Sequence, residues 1–297
     1  MNKILVSIIV NCLNGEKFLE ETLQSVINQT YKNWELIFWD NQSSDKSFEI
    51  FREINHPKFN YYYAPVQTSL GEARELAFKK SKGEWIGFLD CDDIWLPDKL
   101  RDQVEIINSY KGKLGLIYSK CRLFKDIRNK TNDLVRKTAI QPCSKKLPTL
   151  KIYSDLLKGN FIPFPSLLYK REAIIKSGNF SCYKFSPDYY LNLSIAFKYD
   201  SYAIDKVLCL YRFHEANLSK SIRETGILEA IKIIYRLHPK NQADIYSKTH
   251  KVRYIVYLLM KGNFRKTYKI FNELGTCNLI SGFFEILRYY LTYKTKI

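Results

Sequence analysis

Trp85-Ile86-Gly87-Phe88-Leu89-Asp90-Cys91-Asp92-Asp93 runs from a short apolar stretch straight into three carboxylates within four positions. An apolar run without polar interruption reads as a strand buried on both faces, the kind found inside a parallel sheet covered by helices. Working back toward the N-terminus, the pattern repeats. Ile4 to Val10 is an apolar run that ends at Asn11 and at the breaker Asn14-Gly15, and Glu35 to Trp39 is another, ended by Asp40-Asn41-Gln42-Ser43-Ser44-Asp45. Helical spacing of Phe18, Leu19, Leu23, Val26 and Ile27 predicts a helix over 16–29. Further helices are expected from Ser47 to Ile54 and from Leu70 to Ser81, the last stopped by Gly83, with an aromatic strand from Phe59 to Tyr63. This βαβα alternation predicts a parallel sheet flanked by helices.

In open sheets of this kind ligands bind beyond the carboxyl ends of the strands. Asn11 to Asn14, Asp40 to Asp45 and Asp90 to Asp93 are therefore expected to converge on one crevice. Alternate residues of an extended chain face the same way, so Asp90 and Asp92 point together. Two like charges this close repel unless a cation joins them, and Mg²⁺ or Mn²⁺ is the hard, oxygen-seeking cation shared with phosphates. Asp40, at a comparable strand end, suits the N–H of a uracil or thymine. Arg74, on the helix before the acidic strand, either balances the carboxylates or touches the base.

The composition bounds the rest. Of 297 residues 46% are hydrophobic, which excludes a disordered chain. Lys and Arg number 47 against 30 Asp and Glu, unevenly spread. Residues 1–100 carry a net charge of −4, residues 101–222 +12 and residues 223–297 +9. An acidic first third suits a metal; the basic remainder suits phosphate, nucleic acid or an anionic membrane surface. The seven cysteines are odd in number and form no Cys-x-x-Cys pair, which argues for reduced cytoplasmic thiols over a disulfide framework or zinc site. The apolar run at Ile4 is too short for a signal peptide, and Glu285 and Arg288 interrupt the longest apolar stretch, Leu279 to Leu291. The reading is a cytoplasmic protein, soluble or peripheral on the inner face of the cell membrane.

Downstream, residues 125–151 read as a loop or insertion and 152–158 as a short helix. Asn160 to Ser166 is a proline-stiffened loop leading to Leu167–Tyr169. Tyr189 to Phe197 is helical, Tyr202 to Tyr211 is a strand, and from about Ile222 the chain is mainly helical, basic and aromatic.

Several of these segments together resemble family 2 glycosyltransferases: Val6-Ser7-Ile8-Ile9-Val10, Asn14, Phe18-Leu19, Leu23 to Tyr31, Trp34-Glu35-Leu36-Ile37, Ala73-Arg74, Gly83-Glu84-Trp85-Ile86 and Phe88 to Asp93. The resemblance covers about residues 4–220. It implies a GT-A fold, a Rossmann-like α/β domain over residues 1–220, and a nucleotide-sugar donor, UDP-linked by preference; beyond it the residue pattern reads as a helical C-terminal extension over 221–297. It implies that Asn14, Asp40, Arg74, Asp90, Cys91, Asp92 and Arg212 line the donor site, that Asp90, Asp92 and His214 face Mn²⁺ or Mg²⁺, and that Asp188 is the single base of an inverting transfer. Pro163 and Ser166 are expected in the sugar or acceptor pocket. The acceptor is a glycan or a lipid-linked saccharide of surface polysaccharide synthesis, and no nucleic-acid partner is expected.

Three positions depart from the family pattern. Asn11 replaces the usual proline, Asp40-Asn41-Gln42-Ser43 replaces Asp-Asp-Gly-Ser, and Pro187 stands where a glutamate precedes the base. A catalytically inactive relative that binds nucleotide sugar or membrane is the alternative these departures raise; the intact Asp90, Asp92 and Asp188 oppose it. The tail, with Phe283, Phe284, Leu287 and Leu291 on one prospective helix face, is read either as a membrane-surface element or as helices packed on the first domain.

Overall fold

A computed structural model describes residues 3–124, 140–142, 147–178, 180–217, 223–274, 279–281 and 284. The first half alternates strand and helix: β1 (Val6–Cys12), α1 (Leu19–Ile27), β2 (Trp34–Asp40), α2 (Ser47–Ile54), β3 (Phe59–Tyr63), α3 (Leu70–Lys80) and β4 (Trp85–Asp90). Residues 94–124, for which the sequence pattern makes no assignment, form β5 (Ile94–Trp95), α4 (Lys99–Ser109) and the long β6 (Leu114–Phe124). There follow β7 (Ile140–Gln141), α5 (Tyr153–Lys158), β8 (Leu168–Lys170), α6 (Arg171–Ser177), α7 (Pro187–Lys198) and β9 (Asp200–Arg212). Most of the expected loop 125–151 lies outside the described residues.

The strands join one sheet in the order β3-β2-β1-β4-β8-β6-β9-β5, with β7 beside β6. β3, β2, β1 and β4 are mutually parallel, as the alternation requires. Beyond β4 the sheet is mixed, because β8 runs antiparallel to both β4 and β6. Register brings the strand ends level: Asn11 lies opposite Asp90, and Cys12 opposite Asp40.

Both faces of the sheet are buried. Ile9, Ile86 and Phe88 face one core with Ala73, Ala77 and Leu193; Val6, Ile8, Val10 and Leu89 face the other with Leu19, Leu23 and Leu100. That period-two division of continuous apolar strands between two helical layers explains why they carry no polar face. Close approach fixes Gly83, where a Cβ would stand 2.5 Å from the Ser7 nitrogen.

After β9 the described chain is helical, at Arg223–Leu237, Lys240–Tyr246, Lys248–Met260 and Phe264–Leu274. Ala230, Ile233, Ile234 and Ala243 enter the same core as α7. The first two of these helices therefore pack on the sheet-bearing part, and Phe264–Leu274 packs on Lys248–Met260. No helix among the described residues is long and apolar enough to cross a membrane. Of the expected tail face, Phe283, Leu287 and Leu291 lie outside the described residues, and Phe284 is exposed.

Candidate active site

The ends of β1, β2 and β4 open onto a cavity of about 540 Å³ whose walls include Asn11, Asn41, Arg74, Asp90, Cys91, Asp92 and, from the start of α7, Asp188. The expected convergence of strand ends is thus present. Left-handed backbone shapes its rim: Asn14 and Gln42, neither a glycine, take φ of 56° and 69°. The Asn14 side-chain oxygen accepts the Ser44 N–H at 2.8 Å and the Asn14 backbone N–H donates to Ser43 Oγ at 3.0 Å, so Asn14 ties two rim loops together outside the cavity lining.

The acidic turn is braced from below. Asp93 is fully buried; one carboxylate oxygen accepts the Arg212 backbone N–H at 2.9 Å, and its carbonyl accepts the Thr22 hydroxyl at 2.9 Å. Burial, then the Asp92 and Asp90 charges, push the Asp93 carboxyl well above the usual carboxylate range. Arg212 is the largest departure from expectation. Its side chain is fully buried and lies outside the cavity lining: Nε donates to the Asp92 carbonyl at 2.8 Å, a guanidinium N–H donates to Glu21, and the group sits 4.3 Å from the Phe18 ring and 4.6 Å from the Phe124 ring. It holds the acidic turn from beneath instead of facing a phosphate, because the aromatic cage offers the cation a partner the sequence does not disclose.

Asp90 and Asp92 do reach the cavity. Arg74 meets the Asp90 carboxylate at 2.7 Å, and its guanidinium stacks 3.8 Å from the Phe164 ring. Asp92 lies 2.8 Å from His214 Nε2. Burial, then the neighbouring Asp90 charge, raises the Asp92 carboxyl, while His214 lowers it. Among the described residues no three His, Cys, Asp or Glu side chains form a ready metal cage. The donor set nevertheless fits a hard divalent cation. The Asp90 and Asp92 carboxylates line a cavity with room for phosphate oxygens, and cations of this class take one or two carboxylates plus substrate phosphates.

Asp40 is placed differently. It is 1% exposed and lies outside the cavity lining. Its carboxylate accepts the Ser43 N–H at 2.7 Å and the Tyr61 hydroxyl at 2.7 Å, which helps burial raise the Tyr61 phenol. The neighbouring Asn41 takes the wall position. Its side chain fastens the Thr68 loop, donating to the Thr68 carbonyl at 2.9 Å and accepting from the Thr68 N–H and hydroxyl at 3.1 Å. Pro163 and Ser166 also lie outside this lining. Ser166 is buried with its hydroxyl turned back onto the Pro163 carbonyl at 2.7 Å, and Phe164 between them is the residue at the wall.

Asp188 sits in the first turn of α7, directly after Pro187, where the helix N-terminus favours negative charge. Burial pushes its carboxyl up, and the Arg74 charge pulls it back. A chain of donors leads to it: Tyr169 hydroxyl to Asn192 at 2.7 Å, Asn192 to Asn160 at 3.1 Å, and Asn160 to Asp188 at 2.7 Å. A residue that sequence reasoning missed holds the approach to α7. Glu229, on the helix Arg223–Leu237, accepts the backbone N–H groups of Lys184, Phe185 and Ser186 at 2.8, 2.9 and 2.7 Å. Nothing in the sequence separates Glu229 from any other helical glutamate.

A sheet parallel in its first half, with Asp90 and Asp92 at the end of a strand, and a helix, α7, that brings Asp188 to the same cavity define a GT-A glycosyltransferase. The match to Glycosyl transferase family 2 spans residues 7–176, and the chain belongs to that family. It is 26% identical over 286 residues to an uncharacterized glycosyltransferase of Rickettsia typhi, covering 94% of this chain and 87% of that one. It is 28% identical over 223 residues to the Escherichia coli UDP-Glc:alpha-D-GlcNAc-diphosphoundecaprenol beta-1,3-glucosyltransferase WfgD, covering 74% of this chain and 82% of that one. The fold resembles S. aureus TarS in complex with UDP-GlcNAc, with a TM-score of 0.62, 16% identity, and coverage of 86% of this chain and 73% of that one. It also resembles a Pyrobaculum calidifontis mannosyltransferase in complex with GDP-Man and Mn²⁺, with a TM-score of 0.60, 16% identity, and coverage of 95% and 86%.

Proposed function

We propose that the protein transfers a sugar, with inversion, from a UDP-sugar to a hydroxyl of a lipid-linked or glycan acceptor in surface polysaccharide synthesis, on the inner face of the cell membrane. The observation that carries this reading is the shared cavity: Asp90 and Asp92 on one wall and Asp188 on another. Asp90 and Asp92 would hold Mn²⁺ or Mg²⁺, with His214 beside Asp92; the ion, when bound, supplies positive charge against the leaving diphosphate. Arg74 orients Asp90 and adds a fixed cation at the same wall. Asp188 accepts the proton of the acceptor hydroxyl as its oxygen bonds to the anomeric carbon and the bond to the diphosphate oxygen breaks. One base and one displacement give inversion. Asp40 acts through Tyr61 and the Ser43 turn, shaping the base-binding rim with Asn14.

A lipid-linked acceptor is supported by the names of the Escherichia coli relatives. Contact with an anionic membrane is supported by the C-terminal helices. Met260, Phe264 and Tyr268 are each more than two-thirds exposed, in a region of net charge +9. The test is transfer from a panel of UDP-sugars to N-acetylglucosaminyl diphosphate lipid, with Mn²⁺ and with chelator. Expected are metal-dependent release of UDP and a product of inverted anomeric configuration by NMR. Metal-independent transfer or retention of configuration overturns the proposal.

A further inference from the structure

A second cavity, of about 300 Å³, meets the first at Asp188. Asp188 and Phe185 belong to both linings. The remaining walls differ in origin. Asn160 and Ser186 come from the catalytic half, whereas Gly226 and Ala230 come from the helix Arg223–Leu237 and His250 and Arg253 from Lys248–Met260. The cavity therefore exists only because the C-terminal helices pack where they do.

Its charges are simple. Apart from Asp188, whose carboxylate Asn160 engages, the ionic side chain in the lining is Arg253. His250 is neutral, since burial and the adjacent Arg253 push its imidazole down to about 3. Its Nε2 lies 3.2 Å from the Leu157 carbonyl and 3.0 Å from the Tyr189 hydroxyl, so it serves as fixed wall. Arg253 is three residues on from His250, on the same helix face. Seven residues further along that helix, a rise of about 10 Å, Met260 is exposed, as are Val256 and Leu259 before it and Phe264 and Tyr268 after it.

We infer that this second cavity is the acceptor subsite, and that Arg253 receives a phosphate group of a phosphate-bearing saccharide whose hydroxyl faces Asp188. The inference rests on the transferase reading above and adds the acceptor's place and charge. A base that takes a proton from the acceptor must touch the acceptor, and Asp188 is the carboxylate that borders both cavities. The volume is at the lower end of small-molecule sites and suits one sugar ring with a charged substituent. Arginine suits phosphate because its planar fork gives paired, charge-assisted hydrogen bonds. The order Asp188, Arg253, exposed apolar helix end matches the order hydroxyl, phosphate, lipid in a membrane-borne acceptor.

The test is calorimetric titration of the full chain saturated with UDP and Mn²⁺, so that the donor site is filled, using decyl diphosphate and inorganic pyrophosphate as probes. Two variants are compared with the parent. Arg253→Gln removes the cation. Gly226→Leu fills the cavity where a Cβ meets nothing closer than Ser186 Oγ at 3.9 Å, and it improves helix propensity, so the fold persists. Decyl diphosphate is expected to bind the UDP-loaded parent and to lose at least tenfold in affinity in each variant. If decyl diphosphate alone binds, the phosphate is that of a lipid-linked acceptor; if pyrophosphate binds as tightly, it is that of a soluble one. Absence of binding by either probe, or affinity unchanged in both variants, overturns the inference. Failure of the transferase reading shows separately, as no binding of UDP with Mn²⁺ in the first titration.

Discussion

The acidic turn after β4 and the start of α7 bring carboxylates to one cavity, but they are held there by different means. Asp90 ends a strand whose register with β1 fixes it, Asp92 follows in the turn, and the brace below them, Arg212, comes from the end of β9. Asp188 begins a helix, and its approach is fastened by Glu229, 41 residues further along the chain, and by Asn160, 28 residues before it. The first arrangement is a property of the sheet. The second depends on the C-terminal helices docking correctly, so the region that completes the base site also carries the exposed apolar surface and the second cavity.

The largest effect should come from the sheet side. Asp92→Ala is expected to lower Mn²⁺-dependent turnover of the UDP-sugar by at least about 10³-fold, since such an ion supplies several kcal/mol of charge stabilisation. Steady-state UDP release measures this, and near-parental turnover would break the first half of the comparison. On the helix side, Asp188→Asn should slow transfer by about 10²–10⁴-fold while UDP binding, followed by calorimetry, persists. The same substitution should not lower the melting temperature. Burial raises the Asp188 carboxyl above its ordinary value, so the protonated, neutral form suits the fold. For the same reason Asp188 favours the folded state below the ordinary aspartate value of 3.8, and that contribution is lost as pH rises through the raised value. The transfer rate runs the other way. It should fall as pH drops through the raised value, at a higher pH than an exposed aspartate would give, and a pH–rate profile of the parent reads this directly.

Glu229→Gln sharpens the comparison. Replacing a charged acceptor of three N–H groups by a neutral one should cost about 1–3 kcal/mol in the local structure. The expected result is a roughly tenfold lower kcat with UDP affinity changed little, because Asp90, Asp92 and Arg74 are held by the sheet, α3 and Arg212 and, among the described residues, only Phe185 of the donor cavity is tied to that helix. Equal losses in kcat and donor affinity would show that the two regions are not separable. The smallest effect on activity is expected at Lys99, which is buried against the Trp95 ring at 3.9 Å and donates to Gln103 at 2.8 Å. Burial lowers its ammonium to about 7, so folded stability should rise with pH between about 7 and the ordinary lysine value of 10.5. Lys99→Met should leave turnover alone and stabilise the fold at pH 7 by about 1–3 kcal/mol, read from urea midpoints.

The parallel half was legible because each apolar strand runs into a polar turn, and β3 and α2 fall on the residues the pattern marks. The long β6 was not. It starts fully buried and alternates only from Lys120 onward, and its partners β8 and β9 lie far along the chain, so no local period announces it. The helix expected over 16–29 is shorter, Leu19–Ile27, since the Asn14 turn and its links to Ser43 and Ser44 occupy the first residues.

By itself the sequence determined the sheet of buried strands and which carboxylates stand at their ends, because periodicity and strand-end chemistry are local, and its motifs carried the resemblance to the family. Only the tertiary structure decided which polar residues face the cavity. Arg74 and Arg212 read alike, yet one lines the cavity wall and the other lies buried between Phe18 and Phe124. Asp40 and Asp90 both end parallel strands, yet only Asp90 borders open space. Whether a charge meets solvent, substrate or an aromatic ring depends on what distant segments pack against it, and no local pattern records that.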